Sequence, residues 1–182
     1  MPWFRLETPR LILRPPETGD VKAIATQMAD WGVVKNLSRA PYPYTEDHAR
    51  AFLAHQEEGR AKGADYAFAV TRKTDGALIG ICGVHLREKG FELGYWFGRD
   101  HWGKGYATEA AGEVLGFAFR NLRADEVEAG WYQDNPASGR VLEKLGFRSD
   151  GVGLRDCAAR GERVLCNLVI MSRAEFGQRQ AA

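Results

Sequence analysis

Trp102-Gly103-Lys104-Gly105-Tyr106-Ala107-Thr108-Glu109 is the stretch on which the reading of the fold turns. It follows an aromatic, strand-like segment, Phe91-Glu92-Leu93-Gly94-Tyr95-Trp96-Phe97. Gly103 and Gly105 free the backbone to turn tightly and to approach a ligand closely. Beyond them, apolar Ala107, Ala111, Val114, Leu115, Ala118 and Leu122 recur three or four apart, the period of an amphipathic helix. A strand, a glycine loop and a helix start in succession place free N–H groups at the positive end of a helix dipole. That arrangement suits a phosphate or pyrophosphate.

Several phosphate loops share this logic, and spacing separates them. Gly98 to Lys104 opens like a P-loop, but Gly105 stands where a Ser or Thr must hold magnesium. A nucleotide hydrolase is therefore a poor reading. The dinucleotide fingerprint needs a glycine at position 108, which is Thr108. The bland reading that remains is a strand-to-helix turn that binds nothing.

A second segment argues against that reading: Asn135-Pro136-Ala137-Ser138-Gly139-Arg140-Val141-Leu142-Glu143-Lys144-Leu145-Gly146-Phe147. With it, the sequence resembles the GNAT superfamily of N-acetyltransferases. Within that superfamily it is similar to the branch of ribosomal-protein N-terminal (alanine/serine) acetyltransferases and their small-molecule-modifying relatives. The matching pieces are Leu6 to Pro15, Glu92 to Trp96, Trp102 to Ala110 and Asn135 to Phe147, in the family's order. The superfamily's loop usually opens with Gln or Arg. Trp102 holds that place here, a departure common in this branch.

At 182 residues, the chain reads as one N-acetyltransferase domain over 1–182 with a core of about 6–173. Its 25 basic and 24 acidic residues leave a net charge of +1 and no basic stripe, so no direct grip on nucleic acid is expected. Charges in Met1 to Glu7 come too early for a signal peptide, and no run approaches a membrane span. Cys82, Cys157 and Cys166 form no close pair. Cys82 and Cys166 sit in apolar runs that suit buried thiols, and the odd count fits a reducing cytoplasm. His48, His55, His85 and His101 show no metal-ligand spacing, so no metal is expected. His48 and His55 share a polar helix and read as solvated. A homodimer stays open.

Residues 10–14 read as a first strand, and Asp20 as the cap of a helix over 21–29. Trp31–Tyr44 reads as a long aromatic loop rather than a regular element. Thr45 is expected to cap a helix over 46–61. Strands follow at 65–71 and 77–85, turning at Thr74-Asp75-Gly76, then a turn at Glu88-Lys89-Gly90 and a strand at 91–97. After the phosphate-loop helix come a strand at 126–132, a helix at 136–145 ended by Gly146, and strands at 147–154 and 164–172. Gln178 to Ala182 reads as a frayed tail. Antiparallel hairpins followed by strand-helix-strand make a mixed α/β (α+β) fold. The expectation is a GNAT-like twisted mixed sheet of about seven strands with helices on both faces.

Acetyl transfer to an amine sets three requirements. A lysine-like amine titrates near ~10.4 and an α-amine near ~8, so a proton acceptor helps. The thioester oxygen gains charge and needs a preorganised donor. The departing thiolate benefits from an acid. The resemblance implies that backbone N–H groups of Trp102, Gly103, Lys104, Gly105, Tyr106, Ala107 and Thr108 cradle the pyrophosphate of acetyl-CoA. The strand at Tyr95, Trp96 and Phe97 suits main-chain pairing with the pantetheine arm and an oxyanion donor. Each has a bland counterpart: solvation for Lys104, local capping for Thr108, core packing for the aromatics.

Asn135 before Pro136 is a good helix cap in its own right, while the resemblance assigns it a contact near the thiol of coenzyme A. Ser138, one turn later, is implied to assist the leaving thiolate, or is an ordinary first-turn serine. Arg140 lies either near the phosphates or in solvent. Glu92 is the candidate base, against a solvent-facing carboxylate; Tyr132 and Tyr95 are weaker candidates as proton donors. The preferred function is an acetyl-CoA-dependent N-acetyltransferase acting by direct attack in a ternary complex, with a protein N-terminal α-amine as acceptor. A small-molecule amine (polyamine, amino-acid derivative or antibiotic) is the alternative acceptor. A non-catalytic acyl-CoA-binding sensor is the alternative class.

Overall fold

The computed structural model describes residues 4–88 and 90–181. Its centre is an eight-stranded sheet, one strand more than the approximate sequence expectation. The strands are β1 (Leu6–Glu7), β2 (Leu11–Arg14), β3 (Asp65–Arg72), β4 (Leu78–Arg87), β5 (Gly90–Phe97), β6 (Glu126–Tyr132), β7 (Arg148–Cys157) and β8 (Glu162–Ser172). They lie in the order β1-β2-β3-β4-β5-β6-β8-β7. From β1 to β5 neighbouring strands pair antiparallel in chain order; the connections are short except between β2 and β3, where residues 15–64 carry three α-helices. Among the described residues only β5 and β6 pair parallel, because a helix crosses between them.

The helices are α1 (Val21–Met28), α2 (Trp31–Val34), α3 (Glu46–Ala61), α4 (Tyr106–Arg120), α5 (Pro136–Leu145) and α6 (Arg173–Ala181). Strand alternation divides the core between the two faces of the sheet. Phe68, Val70, Cys82, Val84 and Leu93 pack with Val114 and Phe117 of α4 on one face. Ala67, Ala69 and Ile81 pack with Ile24 and Met28 of α1 and Ala49 of α3 on the other. On β5, Tyr95 joins the α4 face and Trp96 the α1–α3 face.

Local signals place several elements well. Helix α3 spans Glu46–Ala61, as expected, and the Thr45 N–H donates to His48 Nδ1 at 3.1 Å. His48 is therefore part of the helix cap rather than merely solvated. Helix α5 has Pro136 in its first turn and ends at Gly146, whose φ of +90° suits a residue without Cβ.

Other expectations are corrected. Asp20 does not cap α1 through its side chain. Its carboxylate instead takes two N–H groups of Arg14, at 2.7 and 2.8 Å, and the Glu17 N–H, closing a short 3-10 turn over Thr18–Asp20. The aromatic loop contains α2, begun by Asp30 accepting from the Gly32 N–H at 2.7 Å. Residues 178–181 are not a frayed tail but the end of α6, whose Phe176 stacks on Phe119 at 4.8 Å. Residues 1–3, Lys89 of the expected 88–90 turn and Ala182 of the expected tail lie outside the described residues. Among the described residues no helix is long and apolar enough to cross a membrane.

One feature of the sheet positions the site. The β5–β6 register is Phe91↔Val127 and Glu92↔Glu128, at the start of both strands. Beyond Glu92 the two strands part, and α5 bridges the gap. Gly139 of α5 lies so close to the Trp131 indole that an added Cβ would sit 2.7 Å from its Cε2. The adjacent Ser138 reaches across to Tyr95 of β5.

Candidate active site

A cleft of about 840 Å³ runs along the opened edge of β5. At one end it meets the glycine loop. Gly103 and Gly105 have φ of +72° and +81°, in the left-handed region that disfavours Cβ-bearing residues. Gly105 stands immediately before α4, so the first-turn N–H groups that follow it have no partner within the helix. Trp102, Gly103, Gly105, Tyr106, Ala107 and Thr108 line the cleft. Lys104 turns its ammonium back to the Asp100 carbonyl, at 2.8 Å.

The loop is clamped from outside. Glu109, in the first turn of α4, accepts from Thr8 Oγ1 at 2.6 Å and from the Arg10 N–H at 2.9 Å. The Arg10 guanidinium pairs with Glu109 at 2.6 Å and donates to the Lys104 carbonyl at 2.9 Å. Trp102 Nε1 donates to the Phe97 carbonyl at 2.7 Å, tying the loop to the end of β5. Local sequence assigns no role to Glu109, because its partners lie about a hundred residues away.

At the middle of the cleft, Tyr95 Oη and Ser138 Oγ are 2.9 Å apart. Burial raises the Tyr95 pKa strongly, so its hydroxyl stays protonated at neutral pH. Asn135 caps α5, its Oδ1 accepting from the Ser138 N–H at 3.4 Å, and also lines the cleft. The weaker candidate Tyr132 is committed elsewhere: its hydroxyl donates to the Asp156 carbonyl at 2.6 Å. Arg140 is exposed at the cleft wall.

A parted parallel pair, a glycine loop capping the crossover helix, and polar groups meeting in the gap form one connected site. The chain matches the model of the acetyltransferase (GNAT) domain over residues 10–148. The chain belongs to the GNAT acetyltransferase family. It is 32% identical over 154 residues to the uncharacterized N-acetyltransferase p20 of Bacillus licheniformis, covering 83% of this chain and 85% of that one. It is 26% identical over 162 residues to the [ribosomal protein uS5]-alanine N-acetyltransferase of Escherichia coli, covering 83% and 81%. Among solved structures it resembles a GNAT-family acetyltransferase from Bacillus anthracis, with a TM-score of 0.82 and 25% identity over 94% of this chain and 100% of that one.

In this GNAT acetyltransferase, Glu92 stands where β5 and β6 part, on the α1–α3 side of the sheet. It is not a free carboxylate. Arg87 Nε donates to it at 2.6 Å, His85 Nε2 lies at 3.4 Å and Arg155 Nη1 at 3.7 Å. Burial alone would raise its pKa, but the hydrogen bonds and charges of His85 and Arg87 outweigh burial and hold it at about 2. Such a carboxylate remains an anion and a hydrogen-bond acceptor, but it is a weak proton acceptor for an ammonium.

The same pairing predicts an acid sensitivity. The folded-state pKa of Glu92 lies below its ordinary 4.5, so its stabilising contribution is present above about pH 4.5 and lost as pH falls toward 2. The shift corresponds to roughly 3 kcal/mol. Glu92→Gln is expected to flatten the stability curve between those pH values, measured by urea melts at stepped pH. A variant curve parallel to wild type across that window would show that the ion pairs contribute nothing.

His85 is the residue that reading the sequence alone passes over. Its signal was present: the strands expected at 77–85 and 91–97 are joined by a short turn, which brings His85 beside the start of the second strand, and the observed register pairs it with Glu92.

Proposed function

We propose that this GNAT acetyltransferase moves the acetyl group of acetyl-CoA onto the α-amine of a protein N-terminus, by direct attack in a ternary complex. The observation that carries the reading is the single cleft that joins the glycine loop, the opened edge of β5 and the α2–α3 segment. A cosubstrate reaches it from the loop end and an amine from the other. Similarity to the uS5-alanine enzyme supports a protein α-amine as acceptor. On this reading the whole chain is one catalytic domain. It works in the cytoplasm without direct contact with nucleic acid or membrane.

The residues present fit acetyl-CoA, which supplies an activated thioester when bound. Left-handed Gly103 and Gly105 leave room for close approach, and N–H groups from Gly103 to Thr108 face an anion at the positive end of α4. The Lys104 ammonium adds only diffuse charge. Main-chain groups of Tyr95 and Phe97, which face the open edge of β5, pair with the pantetheine amides and supply the oxyanion donor, while those of Trp96 between them face β4. Asn135 contacts the thiol end. The Tyr95–Ser138 pair donates a hydrogen bond to the departing sulfur and relays a proton to it. Glu92 keeps a negative charge on the amine side of the cleft, which draws the incoming ammonium in.

Thiol release from acetyl-CoA, measured across peptides with varied first residues and a set of small amines, tests the acceptor. Peptides beginning with Ala or Ser are expected to react fastest. Faster turnover of spermidine or an amino-acid derivative would sink the N-terminal reading in favour of a small-molecule acceptor. In the same assay Ser138→Ala is expected to lower kcat by about tenfold with little change in acetyl-CoA affinity, since only the transition state develops the thiolate. A loss confined to binding would reduce Ser138 to a simple contact.

A further inference from the structure

His85 and Glu92 face each other across the β4–β5 hairpin, and both line the cleft. Alternation puts them on the α1–α3 face with Gly94. A Cβ added at Gly94 would lie 3.4 Å from His85 Cε1, so the imidazole covers the strand where a side chain would otherwise stand. Gly94 is the second residue past the point where β5 and β6 separate. The next residue, Tyr95, reaches Ser138 from the opposite face. The opened strand is thus flanked by a histidine–carboxylate pair on one face and a hydroxyl pair on the other.

We infer that His85 is the general base of the transfer, with Glu92 as its positioning residue. His85 Nε2 points at the Glu92 carboxylate, which favours the proton on Nε2 and leaves the Nδ1 lone pair free. Among the described residues no protein group donates to Nδ1. Imidazole is the side-chain type whose charge change ordinarily falls near neutrality, whereas the Glu92 carboxylate is held as an anion by its cationic neighbours. The charged groups around the imidazole are Glu92 on β5, Arg87 on β4, Arg155 on β7, and Asp65 on β3. Asp65 faces His55 of α3 at 3.7 Å.

The proton balance is complete. The acceptor ammonium gives one proton to Nδ1, and the imidazolium formed is stabilised by Glu92. The free amine attacks the thioester carbon, a C–N bond forms and the C–S bond breaks. The thiolate leaves with a proton passed from the Tyr95–Ser138 pair. The attacking nitrogen's second proton returns to solvent, which also restores the relay and the imidazole.

The inference rests on acetyl transfer to an amine, not on which amine. His85→Gln retains a donor toward Glu92 but cannot take up a proton. The assay is thiol release at saturating acetyl-CoA, with the Ala-first peptide or, where wild type prefers it, spermidine. The choice of acceptor reports on the N-terminal reading. The variant-to-wild-type ratio on that acceptor reports on His85. At pH 7, kcat/KM for the acceptor is expected to fall about 100-fold, the loss shrinking as pH rises toward the amine's own pKa. Calorimetric affinity for acetyl-CoA should be unchanged. Added imidazole should partly restore His85→Ala, and melting curves confirm that each variant is folded. A wild-type pH–rate profile in His85→Gln, or an equal loss at every pH, would overturn the inference and leave His85 a packing residue.

Discussion

Replacing Gly105 with Val is expected to weaken acetyl-CoA binding by roughly two orders of magnitude while the fold survives. Gly105 has φ of +81°, which a β-branched residue adopts only with strain. Relieving that strain would swing the loop and the first-turn N–H groups of α4 away from a common focus. The new side chain would also meet Arg10, since a Cβ at this position lies 3.3 Å from its Nη2. Arg10 holds both the Lys104 carbonyl and Glu109, so the external clamp is disturbed as well. The strain falls on an exposed loop and costs about 1–3 kcal/mol, less than a typical domain's stability. Gly103→Ala isolates the conformational part, because Gly103 has φ of +72° but open space around its Cβ position. Calorimetric titration with acetyl-CoA reads both variants. A wild-type affinity in Gly105→Val would remove this loop from the cofactor site.

Phe117→Ala is expected to lower the free energy of unfolding by about 3–5 kcal/mol. Phe117 is fully buried on the inner side of α4. Its ring meets Phe4, Tyr66 and Phe68 edge-on at 4.8, 5.6 and 5.4 Å. These partners come from the chain start and from β3, so no single element can close over the cavity left behind. Denaturant titration measures the loss. A change under about 1 kcal/mol would mean that α4 collapses onto the sheet and that the aromatic cluster is not a rigid support. Because α4 begins at the glycine loop, the variant should also bind acetyl-CoA more weakly near its melting temperature than well below it.

Much of this molecule is determined by sequence over short range. A capping residue, a first-turn proline, a terminating glycine or a short glycine-containing turn acts within a few positions. Helices α3 and α5 and the β3–β4–β5 meander could therefore be read directly. The glycine loop was legible for the same reason, since strand, turn and helix start are contiguous. Helix α2 escaped because four residues make barely one turn and show no period. Helix α6 escaped because its sequence is polar, and docking of Phe176 on Phe119 stabilises it.

The working state of each site residue was decided by contacts that sequence distance conceals. Tyr95 and Ser138 are 43 positions apart and meet only because β5 and β6 part and α5 fills the gap. Glu109 grips Thr8 and Arg10 because the turn between β1 and β2 sits against the first turn of α4. Glu92 reads in the sequence as an available carboxylate, and only the folded chain surrounds it with His85, Arg87 and Arg155. Residue type and local geometry are properties of the chain. Protonation state is a property of the surroundings, because charge and desolvation act through space, so tertiary structure decided that Glu92 stays charged and Tyr95 stays protonated.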